Sequence, residues 1–487
     1  MATSYWHMVR VSVVFCLAFA ALACSGGLSE APFPPQHTPN VVLVVVDTLR
    51  ADALTDTRSG RPLMPKLRGF AGDSLCFANA ISQASWTKPA MVSMFTSLYP
   101  EVHNVQFGVR AQLSPAQSPH IDLLPDSLTT MATRFREAGY RTLAVQSNPN
   151  LNAESGFAQG FDSYIFVTYP EQRGDVVTDR ALEVTRNVQS PFFLYVHYMD
   201  PHQPYDPPPP YRDMFVKDGA LPEPDRELIN TYRDYCLDKV LNDVGLRSQR
   251  LLPELSERGR AFIRSLYDGE VRFTDELLDR LIRSLRERAP STIVVVTADH
   301  GEEFWERGSV GHGKTVYQEL VHVPLIVSLP DASRGRTERA VQTIDVLPTL
   351  AALLGWRHDE DWQGANLLET SPADTRQSHP VFSSTRTSLR ESNVDLEAVC
   401  VWPDKLVRDR NSGEVVLFDL ARDPREQSDR LADALETVAR LEGVLRDHHE
   451  QNQRHPRAAG GKERAPLDAE TVEEMQAIGY LTDGKSS

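Results

Sequence analysis

Two aspartates close two unusually apolar runs in this 487-residue chain: residues 40–47 read NVVLVVVD, and residues 292–299 read TIVVVTAD with His300 next. A continuous β-branched run is the signature of a strand buried on both faces. Open α/β sheets present ligand sites at the carboxyl ends of their strands. Asp47, Asp299 and His300 are therefore expected at one sheet edge. Two carboxylates brought together there repel, which raises one pKa unless a cation sits between them. A single aspartate after a strand could simply cap the next helix. Two matching endings beside a histidine favour a metal site.

A third stretch, residues 85–100, reads SWTKPAMVSMFTSLYP. Proline favours the first turn of a helix, so Pro89 puts Thr87 or Lys88 at a helix N-terminus. Thr87 could serve there as an ordinary cap. The free amides and dipole of a helix start also favour negative charge, and a hydroxyl held against a metal ionises more easily and can act as a nucleophile.

The elements that must position these groups alternate in type. Helical patterns at 127–138 and 275–288 lie among shorter strand patterns at 142–146 and 192–197. Such alternation implies an α/β fold with a doubly wound, mostly parallel sheet. After about residue 375 the texture changes. Residues 397–402, 404–409 and 414–419 read as a small antiparallel meander, with Asn411-Ser412-Gly413 as a turn, and a helix is expected over 423–449. The expected organisation is a leader at 1–23, a linker at 24–38, a catalytic domain at 39–372 and a small α+β subdomain at 373–453. Residues 454–487 then read as a linker, with a short helix near 470–480.

Composition narrows the function classes. Lys and Arg total 51 against 67 Asp and Glu, a formal charge of −16, and 41% of residues are hydrophobic. These are values of an ordinary globular protein, and the acidic balance disfavours a sequence-independent grip on nucleic acid or anionic lipid. Residues 11–23, VSVVFCLAFAALA, are too short an apolar run to span a bilayer and suit an export signal. The following Cys24 matches the position at which a bacterial lipoprotein is acylated, so the chain is expected in the cell envelope, with the membrane engaged only through a lipid anchor. Cys76, Cys236 and Cys400 show no zinc-type spacing and read as packing residues with at most one bridge.

Taken in order, the motifs resemble the sulfatase family of the alkaline-phosphatase superfamily, over about residues 41–480. Residues 44–52 (VVVDTLRAD) look like its opening metal motif, and 87–105 (TKPAMVSMFTSLYPEVHNV) align with its nucleophile signature. GYRT at 139–142 with GFD at 160–162, FLYVHYMDPH at 193–202 and TADHGEE at 297–303 resemble its later segments. So do GHG at 311–313 with Tyr317, VPL at 323–325, and LFDLARDP at 417–424. The resemblance implies that Asp47, Asp299 and His300 bind a divalent metal, that Thr87 is the nucleophile and a fourth metal ligand, and that His202 and His312 face the substrate. Lys88 could offset charge on the substrate's non-bridging oxygens or be solvated.

The departures carry chemistry of their own. Sulfatases resemble Cys/Ser-x-Pro-x-Arg at this place and oxidise the first residue to formylglycine; Thr87 cannot become that aldehyde, and Met91 stands for the arginine. Thr48 replaces a second metal aspartate, and Ser147, Asn148 and Asn150 stand near the place of a lysine and a histidine. Threonine nucleophiles occur in relatives such as phosphoethanolamine transferases, lipoteichoic acid synthases and nucleotide pyrophosphatases. An imidazole among the ligands favours zinc or manganese, whereas an all-oxygen site suits calcium. The expectation is an ester hydrolase acting on a small-molecule, glycan or lipid ester, with phosphate or phosphonate favoured over sulfate. The alternatives are an envelope transferase of phosphoryl headgroups and a non-catalytic binding protein on the same scaffold.

Overall fold

The computed structural model of the protein describes residues 38–106, 120–168, 171, 173–216, 221–237, 252–369, 379–389, 392–458 and 464–466. The leader, Cys24, most of the following linker and the expected terminal helix lie outside the described residues, as does the side chain of Cys236.

The apolar runs do form central strands. An eight-stranded sheet contains β1 (Asn40–Val46), β2 (Leu75–Ile81), β3 (Arg141–Gln146), β4 (Ser163–Phe166), β5 (Phe192–Tyr198), β6 (Thr292–Thr297), β7 (His322–Ser328) and β8 (Gly335–Gln342). Their order is β8-β2-β7-β6-β1-β5-β3-β4. In this sheet β7 alone runs against its neighbours, and the remaining pairs are parallel. Every residue of β1 and β6 is buried, as their unbroken apolar sequence requires. The register Val45↔Thr297 and Val45↔His197 sets the ends of β6, β1 and β5 side by side. That edge is where Asp47 and Asp299 emerge.

Helices pack against this sheet. They include α1 (Thr87–Thr96), α2 (Met131–Glu137), α3 (Gly174–Val184), α4 (Glu257–Arg288) and α5 (Val346–Leu353). All ten residues of α1 are buried, which marks a core helix rather than an amphipathic surface one. The start of α2 is later than expected because Thr130 caps it, its hydroxyl accepting from the Thr133 amide at 3.1 Å. Only the last part of α4 was legible in the sequence. Its 32 residues begin after Ser256, whose hydroxyl accepts from the Gly259 amide, and Asp275 in its middle accepts the amides of Lys66 and Leu67 at the start of the helix Pro65–Gly72.

The small subdomain has one strand more than the meander suggested. β9 (Val381–Leu389), β10 (Ser392–Val401), β11 (Asp404–Asp409) and β12 (Val415–Asp419) form an antiparallel sheet. One face packs Val399, Leu406 and Leu417 against Val438, Leu441 and Leu445 of α6 (Leu435–Arg454). The other packs Ala398, Cys400, Val407 and Phe418 against Ile81, Val316 and Leu320 of the main domain. The last helix begins at Leu435, not near residue 423, because the Asp423 carboxylate accepts the amides of Gln427 and Ser428 and holds that stretch as a turn. Residues 464–466, expected to be linker, pair with 120–122. Cys76 and Cys400 are buried and unbridged. Among the described residues, no helix is long and apolar enough to cross a membrane.

Candidate metal and nucleophile site

Asp47 leaves β1 and Asp299 leaves β6 into the same buried space, and His300 joins them. Ligand-type atoms of these three residues all lie within 4.8 Å of one another. The His300 Nδ1 faces the Gly301 carbonyl at 2.8 Å. A carbonyl only accepts, so Nδ1 carries the hydrogen and Nε2 presents its lone pair. That lone pair faces Asp299 Oδ2 at 3.4 Å, Asp47 Oδ1 at 3.7 Å and the Thr87 hydroxyl at 3.3 Å. Asp47 Oδ1 and Asp299 Oδ2 are themselves buried without a hydrogen-bond partner. Buried carboxylate oxygens left in this state cost free energy. One cation between them meets the lone pairs of two carboxylates, an imidazole and a hydroxyl together, so these residues fit a divalent metal.

The electrostatics follow from this crowding. Burial alone would raise the Asp47 pKa, but the hydrogen bond from His197 and the nearby His202, His197 and His300 rings hold its carboxyl well below the usual range. Asp299 moves the other way, pushed up by burial and by the charge of Asp47. Burial opposes the His300 imidazolium, yet Asp299 and Asp47 raise its pKa. This is the split expected of two carboxylates forced to share one site.

Thr87 opens α1 and is fully buried, and no side-chain hydrogen bond caps that helix. The hydroxyl instead lies beside His300 Nε2 and within 3.4 Å of Asn148 Nδ2. Lys88 goes elsewhere. It is neither solvated nor set beside its neighbour's hydroxyl: its Nζ donates to the Asp122 carbonyl at 3.2 Å and faces Ser155 Oγ at 3.5 Å. Successive helical side chains diverge by about 100°, which separates the two directions. Burial brings the Lys88 pKa down to about 7.

His202 and His312 gather at the same place. Their rings are 4.9 Å apart, and the His312 ring is 4.5 Å from that of His300. Burial lowers both, His202 to about 4 and His312 well below the ordinary imidazole value.

Several neighbours were not assigned from the sequence. His197 on β5 sits 3.1 Å from Asp47 Oδ2 through Nε2, while its Nδ1 meets the Tyr195 hydroxyl at 2.8 Å. Asn148, two residues past β3, donates to Asp47 Oδ2 at 2.6 Å. Glu302, fully buried, pairs with His312 Nδ1 at 3.0 Å and accepts from the Tyr205 hydroxyl at 2.9 Å. A histidine inside an apolar strand, as His197 is, was the available signal for the first; Asn148 stands near the place of the family's lysine and histidine, and Glu302 lies in the TADHGEE segment, but neither position revealed its partners. Thr48 adopts φ 56°, a left-handed conformation costly for a β-branched residue. It is held there by its amide reaching Asp299 Oδ1 at 3.3 Å and by the Tyr267 hydroxyl on its carbonyl at 2.9 Å.

Comparison with known proteins places the chain in a family. The sulfatase family model matches residues 39–356. The multifunctional alkaline phosphatase superfamily protein PehA of Trinickia caryophylli is 26% identical over 485 residues, covering 81% of this chain and 91% of that protein. Among solved structures, BT4656 in complex with D-glucosamine-2-N,6-O-disulfate aligns with TM-score 0.66 at 19% identity, covering 87% of this chain and all of that one (100%). The phosphonate monoester hydrolase of Silicibacter pomeroyi aligns with TM-score 0.64 at 21% identity, over 86% of this chain and 96% of that one. The two structural matches bear on the fold. A family match that spans well over half the chain and contains both aspartates, the threonine and all four site histidines decides the assignment: the chain belongs to the sulfatase family of ester hydrolases.

Proposed function

We propose that the protein is a metal-dependent hydrolase that cleaves phosphate or phosphonate esters in preference to sulfate esters, with Thr87 as its nucleophile. The observation that carries this reading is the Thr87 hydroxyl 3.3 Å from His300 Nε2, in a group whose two carboxylates each leave one buried oxygen unpartnered. Asp47, Asp299, His300 and the Thr87 hydroxyl would hold the ion, and this nitrogen-and-oxygen set suits zinc or manganese better than calcium. A divalent ion there supplies Lewis-acid stabilisation of negative charge on Thr87 and on the ester's non-bridging oxygens.

The chain's own residues do the rest. His197, with Tyr195 behind it, and Asn148 hold Asp47 Oδ2, so Asp47 Oδ1 stays turned toward the site. Asn148 Nδ2 also steadies the Thr87 oxygen. Thr87 Oγ1 attacks the ester centre, and a histidine of the His202–His312 pair gives a proton to the leaving oxygen. Water then cleaves the threonine ester. Formylglycine releases sulfate by elimination, a route closed to threonine, so a sulfated Thr87 would have to be hydrolysed directly. A phosphorylated Thr87 is cleaved more readily, which is why phosphoesters are favoured. The substrate itself is read as a small-molecule, glycan or lipid ester met in the bacterial envelope, where a lipidated Cys24 would tether the enzyme.

The test is a panel of aryl sulfates, phosphate mono- and diesters and phosphonate monoesters, with zinc or manganese, for wild type beside Thr87→Ala and Thr87→Ser. Turnover of phosphorus esters, lost in Thr87→Ala and kept in part by Thr87→Ser, is the expected result. Undiminished turnover by Thr87→Ala would remove Thr87 from the mechanism.

A further inference from the structure

His312 stands between two glycines that both lie in the left-handed region, Gly311 at φ 99° and Gly313 at φ 80°. Glycine reaches that region without steric cost, and the same freedom leaves the chain there little stiffness of its own. On one side the arm continues a short antiparallel ribbon, Glu303–Phe304 with Val310–Gly311. On the other, distant parts of the chain take up both backbone groups of Gly313. Its amide donates to the carbonyl of Ser85, two residues before Thr87, at 2.9 Å. Its carbonyl accepts from the Thr385 hydroxyl at 3.1 Å. One residue thus joins the His312 arm to the nucleophile segment and to the small subdomain.

Thr385 lies on β9, the outer strand of the subdomain sheet. An outer strand has a row of backbone groups without partners in its own sheet. Here that row reaches the main domain: the Phe382 amide donates to Gln342 Oε1 at 2.9 Å, and the Ser384 amide to the Gln83 carbonyl at 2.9 Å. Alternate side chains share one face of a strand, so Val381, Ser383 and Thr385 point the same way. Val381 packs with Ile81, Val316 and Leu320. The Ser383 hydroxyl donates to the Ser82 carbonyl at 2.6 Å, and Thr385 reaches Gly313. Both hydroxyl residues are buried. The Ser82 hydroxyl donates in turn to the Asp299 carbonyl. Strand β9 is therefore laced to residues 82–85, which lead directly into Thr87, and one bond further on to the strand end that carries Asp299. Gly313 is itself buried. A buried carbonyl stripped of its donor is driven to find another, and the two glycines allow the arm to move in doing so.

We propose that Thr385 is a positioning residue: through the Gly313 carbonyl it fixes the His312 arm against Thr87, so that the small subdomain governs turnover from outside the site. The inference rests on the hydrolase reading above. Thr385 acts through Gly313 and not on the ester itself. A shift of ~1 Å in a group that must meet the reacting centre can cost ~100-fold in rate. A loss felt only in the transition state lowers kcat and leaves KM in place.

The experiment compares Thr385→Val, which keeps the shape and removes the hydroxyl, with Thr385→Ser, which keeps the hydroxyl. Val438→Ala is the control, because it loosens the face of the same sheet that packs on α6, away from Gly313. Both kcat and KM are measured for the metal-loaded protein on whichever ester the wild type cleaves best, well below the lowest Tm of the set. Thr385→Val should lose ~10–100-fold in kcat with KM within ~2-fold of wild type. Thr385→Ser should stay within ~3-fold of wild type in kcat, since the hydrogen bond survives. Val438→Ala should lower Tm and leave kcat unchanged. Hydrogen exchange of the metal-free protein gives a readout apart from turnover. The Gly313 amide should exchange ~10-fold faster in Thr385→Val than in wild type, while amides between β10 and β11 keep their rates. An undiminished kcat in Thr385→Val, an equal loss in Thr385→Ser or Val438→Ala, or an unchanged Gly313 exchange rate overturns the proposal and leaves the hydrolase reading standing. A wild type that cleaves no ester overturns the hydrolase reading, and the catalytic importance of Thr385 with it.

Discussion

Replacing Asp299 by Asn should make the metal-free protein more stable while abolishing its response to metal. The ligand oxygens of Asp47 and Asp299 lie within 4.8 Å of each other, and two unit charges at that separation repel by ~3 kcal/mol at an effective dielectric of ~20. Burial adds to this, and the two effects together push the Asp299 carboxyl up. A carboxyl raised in the folded state binds more protons folded than unfolded, so the metal-free protein loses stability as pH rises through that folded value. The advantage of Asp299→Asn should therefore be present at pH 8 and fade in acid. For a chain of this length the unfolding entropy is ~1 kcal/mol per degree, so ~3 kcal/mol corresponds to a rise in Tm of ~3 °C. In wild type, zinc or manganese at a hundredfold excess over Kd should add ~2.7 kcal/mol, a similar rise, by binding the folded state alone. The assay is scanning calorimetry of chelator-treated wild type and variant at pH 8, each repeated with metal. A variant that melts several degrees below metal-free wild type, together with a wild type indifferent to both metals, would refute the reasoning. It would show the two carboxylates to be structural groups satisfied by the protein itself.

Asn148→Ala removes the donor shared by Asp47 and Thr87 and should lower metal affinity or turnover ~10–100-fold, read by metal titration and kinetics. Thr48→Gly relieves the positive φ of a β-branched residue and should gain ~1 kcal/mol in urea unfolding, since a left-handed conformation costs an L-residue about that much. At the junction of α6 with the small sheet, burial would raise the Glu397 pKa, but His449 and Arg410 draw it down to about 2. A depressed carboxyl contributes stability that is complete above its unfolded value of 4.5 and is lost as pH falls toward about 2. Wild type should lose up to ~3 kcal/mol across that window, and Glu397→Gln should flatten this acid limb in denaturation measured from pH 7 to pH 2.

What the amino-acid order determined by itself was local and periodic. The β-branched runs ending at Asp47 and Asp299 can be stable only as strands buried on both faces, and a parallel sheet places the ends of adjacent strands at one edge. Pro89 likewise marked the start of α1 and so the position of Thr87. Thus the three metal-type residues and the hydroxyl could be named before their distances were known. Tertiary structure decided whatever depends on direction or on distant pairing. Lys88 follows Thr87 directly, yet the helical turn sends it to the Asp122 carbonyl instead. His197 gained its role only because β5 pairs with β1 in a register that sets it near Asp47. Glu302 and Tyr205, 97 positions apart, meet because a ribbon and a loop converge beside His312. Strand β9, the full length of α4 and the pairing of residues 464–466 with 120–122 were hidden for the same reason. A period of two or of 3.6 residues is written into neighbouring side chains, whereas which groups end within 3 Å of one another depends on how separate elements pack, and that is stored in no single stretch of chain.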